Sequence, residues 1–441
     1  MKKAAPDDAS ANVMRNADSD NTAPQGNSSG ASGRRVLMMC YFFPPIISSG
    51  VTRSLEFAKL LPEFGWQPLV LTVNKSKDPW VNASQGGNTG EICVQRTSEW
   101  NLAGLADFLH GASSRVARLL GWRLSSNFFR EYFCVPDSQI AWFSTYSARK
   151  LASKVDLIYV SCSPFSSSVS AAIVKRLTGV PLVVDFRDAL SLNPHSNPSR
   201  IQLAIAGRLE RFVLGSCDAL IVNTDGAERL YASAYPEFRG KISTIPNGYD
   251  VLTPVTREFT EGDFVIMHVG SFYGARNPDA LLECLAQLNR DDILFVQIGG
   301  EFESYENFKG RVRIKIVPPV PREKALELMK EASLLYIKQG WEPGVTNYIA
   351  VAAKTYEYLA TGLPILAEVP PGDNADLVKK YASPGYVVTS NRLEDLRDAI
   401  EIAYREKASN VLAISPEFAT KFSRQYLARQ VATLFDKVVS H

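Results

Sequence analysis

The chain has 441 residues, 46% of them hydrophobic and 21% charged, with a formal net charge of +2. That is the make-up of an ordinary globular protein, and no apolar stretch reaches the roughly 18 residues a bilayer span needs. The first 33 residues hold no aromatic residue, no Leu and no Ile. They cannot bury enough apolar surface to offset ordering, so 1–33 is expected to be a disordered tail, without the apolar segment of a secretory signal behind Lys2 and Lys3. What remains exceeds a single core of about 250–300 residues, which points to two large domains. Six scattered cysteines without a CxxC pair, and four histidines without ligand spacing, argue against a disulfide framework or a zinc site. They favour a reducing, cytoplasmic setting. Charge is uneven: residues 34–245 sum to +7 and residues 246–415 to −6. The first half is therefore expected to meet something anionic.

In chain order, Val36–Tyr41 reads as a short strand buried on both faces, followed by a Pro-Pro and Ser-Ser-Gly turn. Val51–Phe64 has Leu55, Ala58, Leu61 and Phe64 at helical spacing. Strands follow at Leu69–Val73, Leu157–Ser161, Leu182–Asp185 and Ala219–Val222, with a helix through Ala171–Leu177. The pattern restarts after Pro246-Asn247-Gly248, with strands at Phe264–Val269, Leu294–Ile298, Val312–Ile316, Leu334–Ile337 and Pro364–Ala367. Pro416–His441 reads as one amphipathic helix. Continuous rather than alternating apolar strands belong to parallel sheets covered on both faces. The fold class is α/β: two doubly wound, Rossmann-like domains joined near 246–262.

Absent motifs exclude several chemistries. There is no G-x-G for a dehydrogenase fingerprint and no Walker loop for P-loop phosphoryl transfer. Gly26-x-Ser28-x-Gly30 and Asp18-x-Asp20 both fall in the tail, away from any strand–helix turn.

Four segments can carry chemistry. The turn Pro44–Arg53 joins the first strand to its helix, where open α/β sheets bind ligands; Gly50 would let an anion approach the helix start, and Arg53 could serve it or be merely solvated. Asp185-Phe-Arg187-Asp188 ends a strand with two carboxylates and a guanidinium, able to orient a hydroxyl or to form a structural ion pair. Gly270-Ser271-Phe-Tyr-Gly-Ala-Arg276 is a flexible loop with Arg276 before a helix, either a diphosphate clamp or a surface charge. Lys354 and Glu357 share a helix face ahead of Gly362 and Pro364, suiting a ribose or forming a plain surface pair.

Taken in order, Tyr41-Phe-Phe-Pro-Pro, Ser49–Lys59, Val184–Asp188, Ile221–Thr224, Ile245–Asp250 and Glu357-Tyr-Leu-Ala-x-Gly-x-Pro364 resemble a retaining glycosyltransferase of the GT-B fold, in the "group one" (glycosyltransferase family 4-like) family. The resemblance covers about residues 34–441. It implies an acceptor-binding domain at 34–250, a sugar-nucleotide domain at 251–415, a cleft between them, and a helix at 416–441 crossing back to the first domain. It assigns Glu357 to the nucleotide ribose, Arg276 to the departing diphosphate in place of a metal, and Gly50 to the donor phosphate. Asp188 falls at the acceptor-side catalytic motif, and Arg53, Asp185 and Arg187 flank the acceptor. Gly270, Ser271 and Lys354 complete the donor side.

The chain departs from the family twice. The first glutamate of the family's pair is Ile349, which leaves the donor sugar to backbone groups of Ala350–Ala353. The second basic phosphate ligand is Ser271, with Lys354 expected to supply the missing charge. The implied activity is metal-independent transfer, without cofactor, from a nucleotide sugar to a glycan or lipid-linked acceptor in bacterial surface polysaccharide assembly. A sugar-nucleotide epimerase and a non-catalytic scaffold are the alternatives. Residues 102–133, with Arg115, Arg118, Arg123 and Arg130, could contact an anionic membrane from the cytoplasmic side or pack on their own domain. Nucleic acid is not an expected partner.

Overall fold

The computed structural model describes residues 33–46, 50–74, 92–99, 135–137, 139–140, 142, 144–193, 198–250, 262–342, 344–346, 348–406 and 414–440. Residues 1–32 of the tail and the basic segment 102–133 lie outside them, so the readings made there are not addressed by the structure. Among the described residues no helix is long and apolar enough to cross a membrane.

The first lobe is a seven-stranded parallel sheet built from β1 (Arg34–Cys40), β2 (Trp66–Val73), β3 (Cys93–Thr97), β4 (Leu157–Cys162), β5 (Leu182–Phe186), β6 (Ala219–Val222) and β7 (Ile242–Thr244). Its spatial order is β3-β2-β1-β4-β5-β6-β7. The second lobe contains β8 (Phe264–Val269), β9 (Ile293–Ile298), β10 (Ile314–Val317), β11 (Leu334–Lys338), β12 (Ile365–Glu368) and β13 (Gly385–Val388), in the order β10-β9-β8-β11-β12-β13. Strand order reverses beside β1 and again beside β8, and at such switch points open sheets leave a crevice at the carboxyl ends of their strands.

The central strands are as apolar as the sequence required. β4, β5 and β6 are buried along their whole length. Short edge strands escape a hydrophobicity reading: β3 is largely exposed, and β7 and β13 are mostly half-buried. The first helix is shorter than its periodicity predicts. It runs Val51–Leu60, continues as a 3-10 turn over Leu61–Phe64 that contains Pro62, and stops at Gly65, whose φ of 82° only glycine adopts readily.

The terminal segment is also two helices rather than one, Pro416–Lys421 and Arg424–Val439. Ser423 breaks it, capping the second helix by accepting from the Tyr426 amide while its backbone bridges to Tyr249. The second helix packs into the first lobe: Leu427, Ala428, Val431, Ala432 and Phe435 join that lobe's core. Phe435 meets Trp66 edge-on at 5.3 Å, and Trp66 Nε1 donates to Asp436. Phe418 of the preceding helix stays with the second lobe's core.

Candidate functional site

Loops at the carboxyl ends of both sheets line a cleft of about 530 Å³, within the range of roughly 300–1,000 Å³ usual for small-molecule sites. On the first-lobe wall the helix Val51–Leu60 starts at Gly50. A β-carbon there would lie 2.7 Å from Arg187 Nη1, so glycine is what lets the guanidinium lie across the helix start. Arg187 is aimed by two backbone carbonyls, donating from Nε to Cys162 at 2.9 Å and from Nη2 to Ser163 at 3.2 Å. Asp188, next to it, is exposed and lines the same wall.

Arg53 and Asp185 have a different placement. Asp185 is wholly buried, accepts from Arg53 Nε at 2.8 Å and from the Tyr159 hydroxyl at 2.5 Å, and does not line the cleft. Arg53 Nη2 donates to the other oxygen, Asp185 Oδ1, at 3.3 Å and to the Ile245 carbonyl, and Nη1 donates to the Pro246 carbonyl. The pair thus ties the first helix, β5 and the exit of the first lobe together, which leaves Asp185 no oxygen to turn toward an acceptor. The structural ion pair, one of the two readings open at this motif, is what forms.

In the second lobe β8 delivers the loop Gly270–Asn277 to the cleft. Gly270 has φ 113°, and its carbonyl accepts from Gln297 Nε2 at 2.7 Å. Ser271 is exposed and is not among the lining residues. Arg276 lines the cleft and donates to the Tyr273 hydroxyl at 2.6 Å. Lys354 reaches over Gly270: its Nζ donates to His268 Nε2 at 2.9 Å, and a β-carbon on Gly270 would stand 2.8 Å from it. Burial, then the Arg276 charge, lower the Lys354 pKa from 10.5 to about 8, against the pull of Glu357.

Glu357 lines the cleft, with Oε1 accepting two bonds from Arg322 at 3.0 and 2.9 Å. Arg322 also pairs with Asp250 at 2.5 Å, and Asp250 with Arg424 of the crossover helix. Charge pairs therefore run unbroken from the site to the helix that joins the lobes. Lys338 faces the cleft as well but is neutralised by buried Glu368.

After pairing, three cleft cations have no carboxylate partner among the described residues: Arg187, Arg276 and Lys354. Among the residues expected from sequence, the structure gathers Gly50, Arg53, Arg187, Asp188, Arg276, Lys354 and Glu357 around one space, Arg53 with its charge already spent on Asp185. It sets Gly270 beneath them and leaves Ser271 and Asp185 off the wall. Sequence reasoning missed His268 and Arg322. The first had a signal, a lone polar residue in the apolar strand Phe264-Val-Ile-Met-His-Val269. Arg322 had none, since its partners are distant in the chain.

Ile349 is buried, packs into the first lobe's core, and its carbonyl accepts from Thr224 Oγ1 at 2.8 Å. That position serves the contact between lobes. Ala350–Ala353, following it, line the cleft. Among the described residues no group of three His, Cys, Asp or Glu side chains is placed to hold a metal ion.

Residues 49–248 match the glycosyl transferase 4-like domain, and residues 255–415 match the family described as glycosyl transferases group 1. No curated protein matches the sequence. Among solved structures, sucrose-phosphate synthase from Thermosynechococcus elongatus is similar at 14% identity and a TM-score of 0.67, covering 92% of this chain and 99% of its own. Anabaena HepE in complex with UDP and glucose is 15% identical with a TM-score of 0.61, over 91% of this chain and 99% of that one. The lipopolysaccharide outer core galactosyltransferase WaaB is 12% identical with a TM-score of 0.55, over 91% and 99%. At such identities the likeness is one of fold, and that fold is GT-B.

Proposed function

The chain belongs to the glycosyltransferases of group 1, with a glycosyl transferase 4-like domain ahead, and we propose that it moves a sugar from a nucleoside-diphosphate donor to a glycan or lipid-linked acceptor with retention. The observation that carries the donor side is the trio Arg187, Arg276 and Lys354, converging on one cleft without carboxylate partners among the described residues. Their positive charge meets a diphosphate as it leaves, the work a divalent metal does elsewhere, and in a partly desolvated cleft such preorganised charge stabilises the developing anion strongly. Glu357 keeps Oε2 for the ribose while Arg322 holds Oε1. The amides of Ala350–Ala353 take the sugar hydroxyls that a first glutamate would otherwise read.

Asp188, on the opposite wall, orients the acceptor hydroxyl. Attack from the face the diphosphate leaves preserves the anomeric configuration, so no covalent nucleophile is assigned. The complex of HepE with UDP and glucose supports a uridine nucleotide as the first donor to try. WaaB, a lipopolysaccharide outer core galactosyltransferase, supports surface polysaccharide assembly as the setting, in which the donor domain would work from the cytoplasmic side.

A thermal-shift panel of UDP, GDP, ADP and dTDP with their common sugars, with and without EDTA, tests this. A ligand at a hundred times its Kd adds about 2.7 kcal/mol to the native state. The expected result is a shift from one nucleotide family, unchanged by EDTA and abolished in Glu357→Ala. No shift from any nucleotide would overturn the reading.

A further inference from the structure

His268 is almost fully buried near the carboxyl end of β8, one residue before its last, an unusual place for an imidazole in an apolar parallel strand. Its ring stacks on Phe272 with centroids 4.0 Å apart. Nδ1 lies 2.9 Å from the Tyr336 carbonyl, which can only accept, so Nδ1 carries the proton. Nε2 is then obliged to accept, and Lys354 Nζ is the donor that reaches it. On the other side Gly270, at φ 113°, leaves the space that any side chain would take from Nζ. Strand histidine and loop glycine together form a seat for a single ammonium, on a sheet whose loop carries Ser271 where the family usually has a basic residue.

We propose that His268 is a positioning residue for glycosyl transfer: by accepting from Nζ it holds Lys354 over Gly270 as the diphosphate cation of the donor site. This rests on the nucleotide-sugar reading above and adds a consequence to it. The charged groups facing Lys354 are Arg276 from the loop after β8 and Glu357 from its own helix, the latter held by Arg322. Lys338 of β11 is paired with Glu368 of β12, and Arg187 and Asp188 stand on the opposite lobe. Desolvation is the largest influence on the amine, and it leaves Lys354 titrating near pH 8, far below the usual lysine range. The imidazole, pushed well below its ordinary value by burial and by the Lys354 charge, stays a neutral acceptor throughout. A diphosphate would draw the proton back onto Nζ. Binding above pH 8 must then take up one proton, and affinity falls by about tenfold per pH unit.

The test is titration calorimetry on the full chain between pH 6.5 and 9, with whichever of UDP-, GDP-, ADP- or dTDP-glucose raises the melting temperature. These sugars carry a diphosphate of fixed charge. Wild type should show a constant Kd up to about pH 7.5 and the steep loss above pH 8. Lys354→Arg, which stays charged, should bind more weakly at pH 7 but lose the alkaline limb. His268→Phe keeps the stack and removes the acceptor; it should weaken binding tenfold or more. His268→Gln, whose amide oxygen can replace Nε2, should recover most of that loss. Melting curves of each variant report folding separately. A wild-type Kd equal at pH 7 and 9, or His268→Phe binding like wild type, would overturn the positioning role while leaving the donor site standing. Absence of binding at every pH would sink the donor reading and this inference with it.

Discussion

Lys354 shows how one side chain can be costly to the fold and necessary to the site. Its pKa is about 8 in the folded protein against 10.5 for an ordinary lysine, so between those values the folded state binds fewer protons than the unfolded chain and stability rises with pH. Below pH 8 the ammonium stays buried and the penalty is complete, about 3 kcal/mol by linkage. Lys354→Met removes the charge and leaves His268 Nε2 without a donor, which returns about 1–3 kcal/mol of that gain. The distinguishing readout is therefore the pH dependence. In urea unfolding, the stability of the variant relative to wild type should fall by about 2 kcal/mol between pH 7 and 9.5, and nucleotide-sugar binding should be lost. A difference that does not change with pH would show that Lys354 titrates normally. Of this arrangement the sequence displayed only the parts. The Lys354–Glu357 spacing was legible because both lie on one helix face. That Lys354 turns to a strand histidine 86 residues away was not.

At the scale of elements, the buried Arg53–Asp185 pair holds three segments that hydrophobic patterning placed but could not join. The helix Val51–Leu60 supplies the guanidinium, β5 the carboxylate, and the Ile245–Pro246 turn the carbonyls. Removing one partner of a buried pair leaves an uncompensated charge, which costs about 3–5 kcal/mol. Asp185→Ala should accordingly lower the denaturation midpoint sharply, with Tyr159 also losing its acceptor. A variant of native stability whose acceptor KM alone rises would return Asp185 to an acceptor role. The central strands could be read from sequence because burial on both faces demands an unbroken apolar run. The short edge strands β3, β7 and β13 could not, since they are incompletely buried and too brief to show a run, whereas edge strand β10 kept enough apolar residues to be read.

At the scale of the whole molecule the lobes meet through contacts that no local pattern announces. Thr224 donates to the Ile349 carbonyl, and Asp373 accepts from the Gly226 amide across the joint. The family's first glutamate is replaced where this chain uses the position for packing. Ile349→Glu would set a carboxylate into the first lobe's core at 6% exposure, at a cost of several kcal/mol unless it takes up a proton. It should lower the melting temperature without tightening donor binding. A stable variant with higher donor affinity would mean that the position still faces the sugar.

Two doubly wound α/β units in series, and the loops able to carry chemistry, follow from the sequence alone. Strand burial, turn residues and the absence of rival motifs are local properties written in consecutive residues. Which charges are spent on the fold and which remain for a ligand is decided only in three dimensions. Arg53 and Arg187 looked alike as cations near strand ends; among the described residues one met a buried carboxylate and the other met carbonyls. Pairing depends on distances between segments far apart in the chain, and a charge is available to a substrate only when no such partner has reached it first.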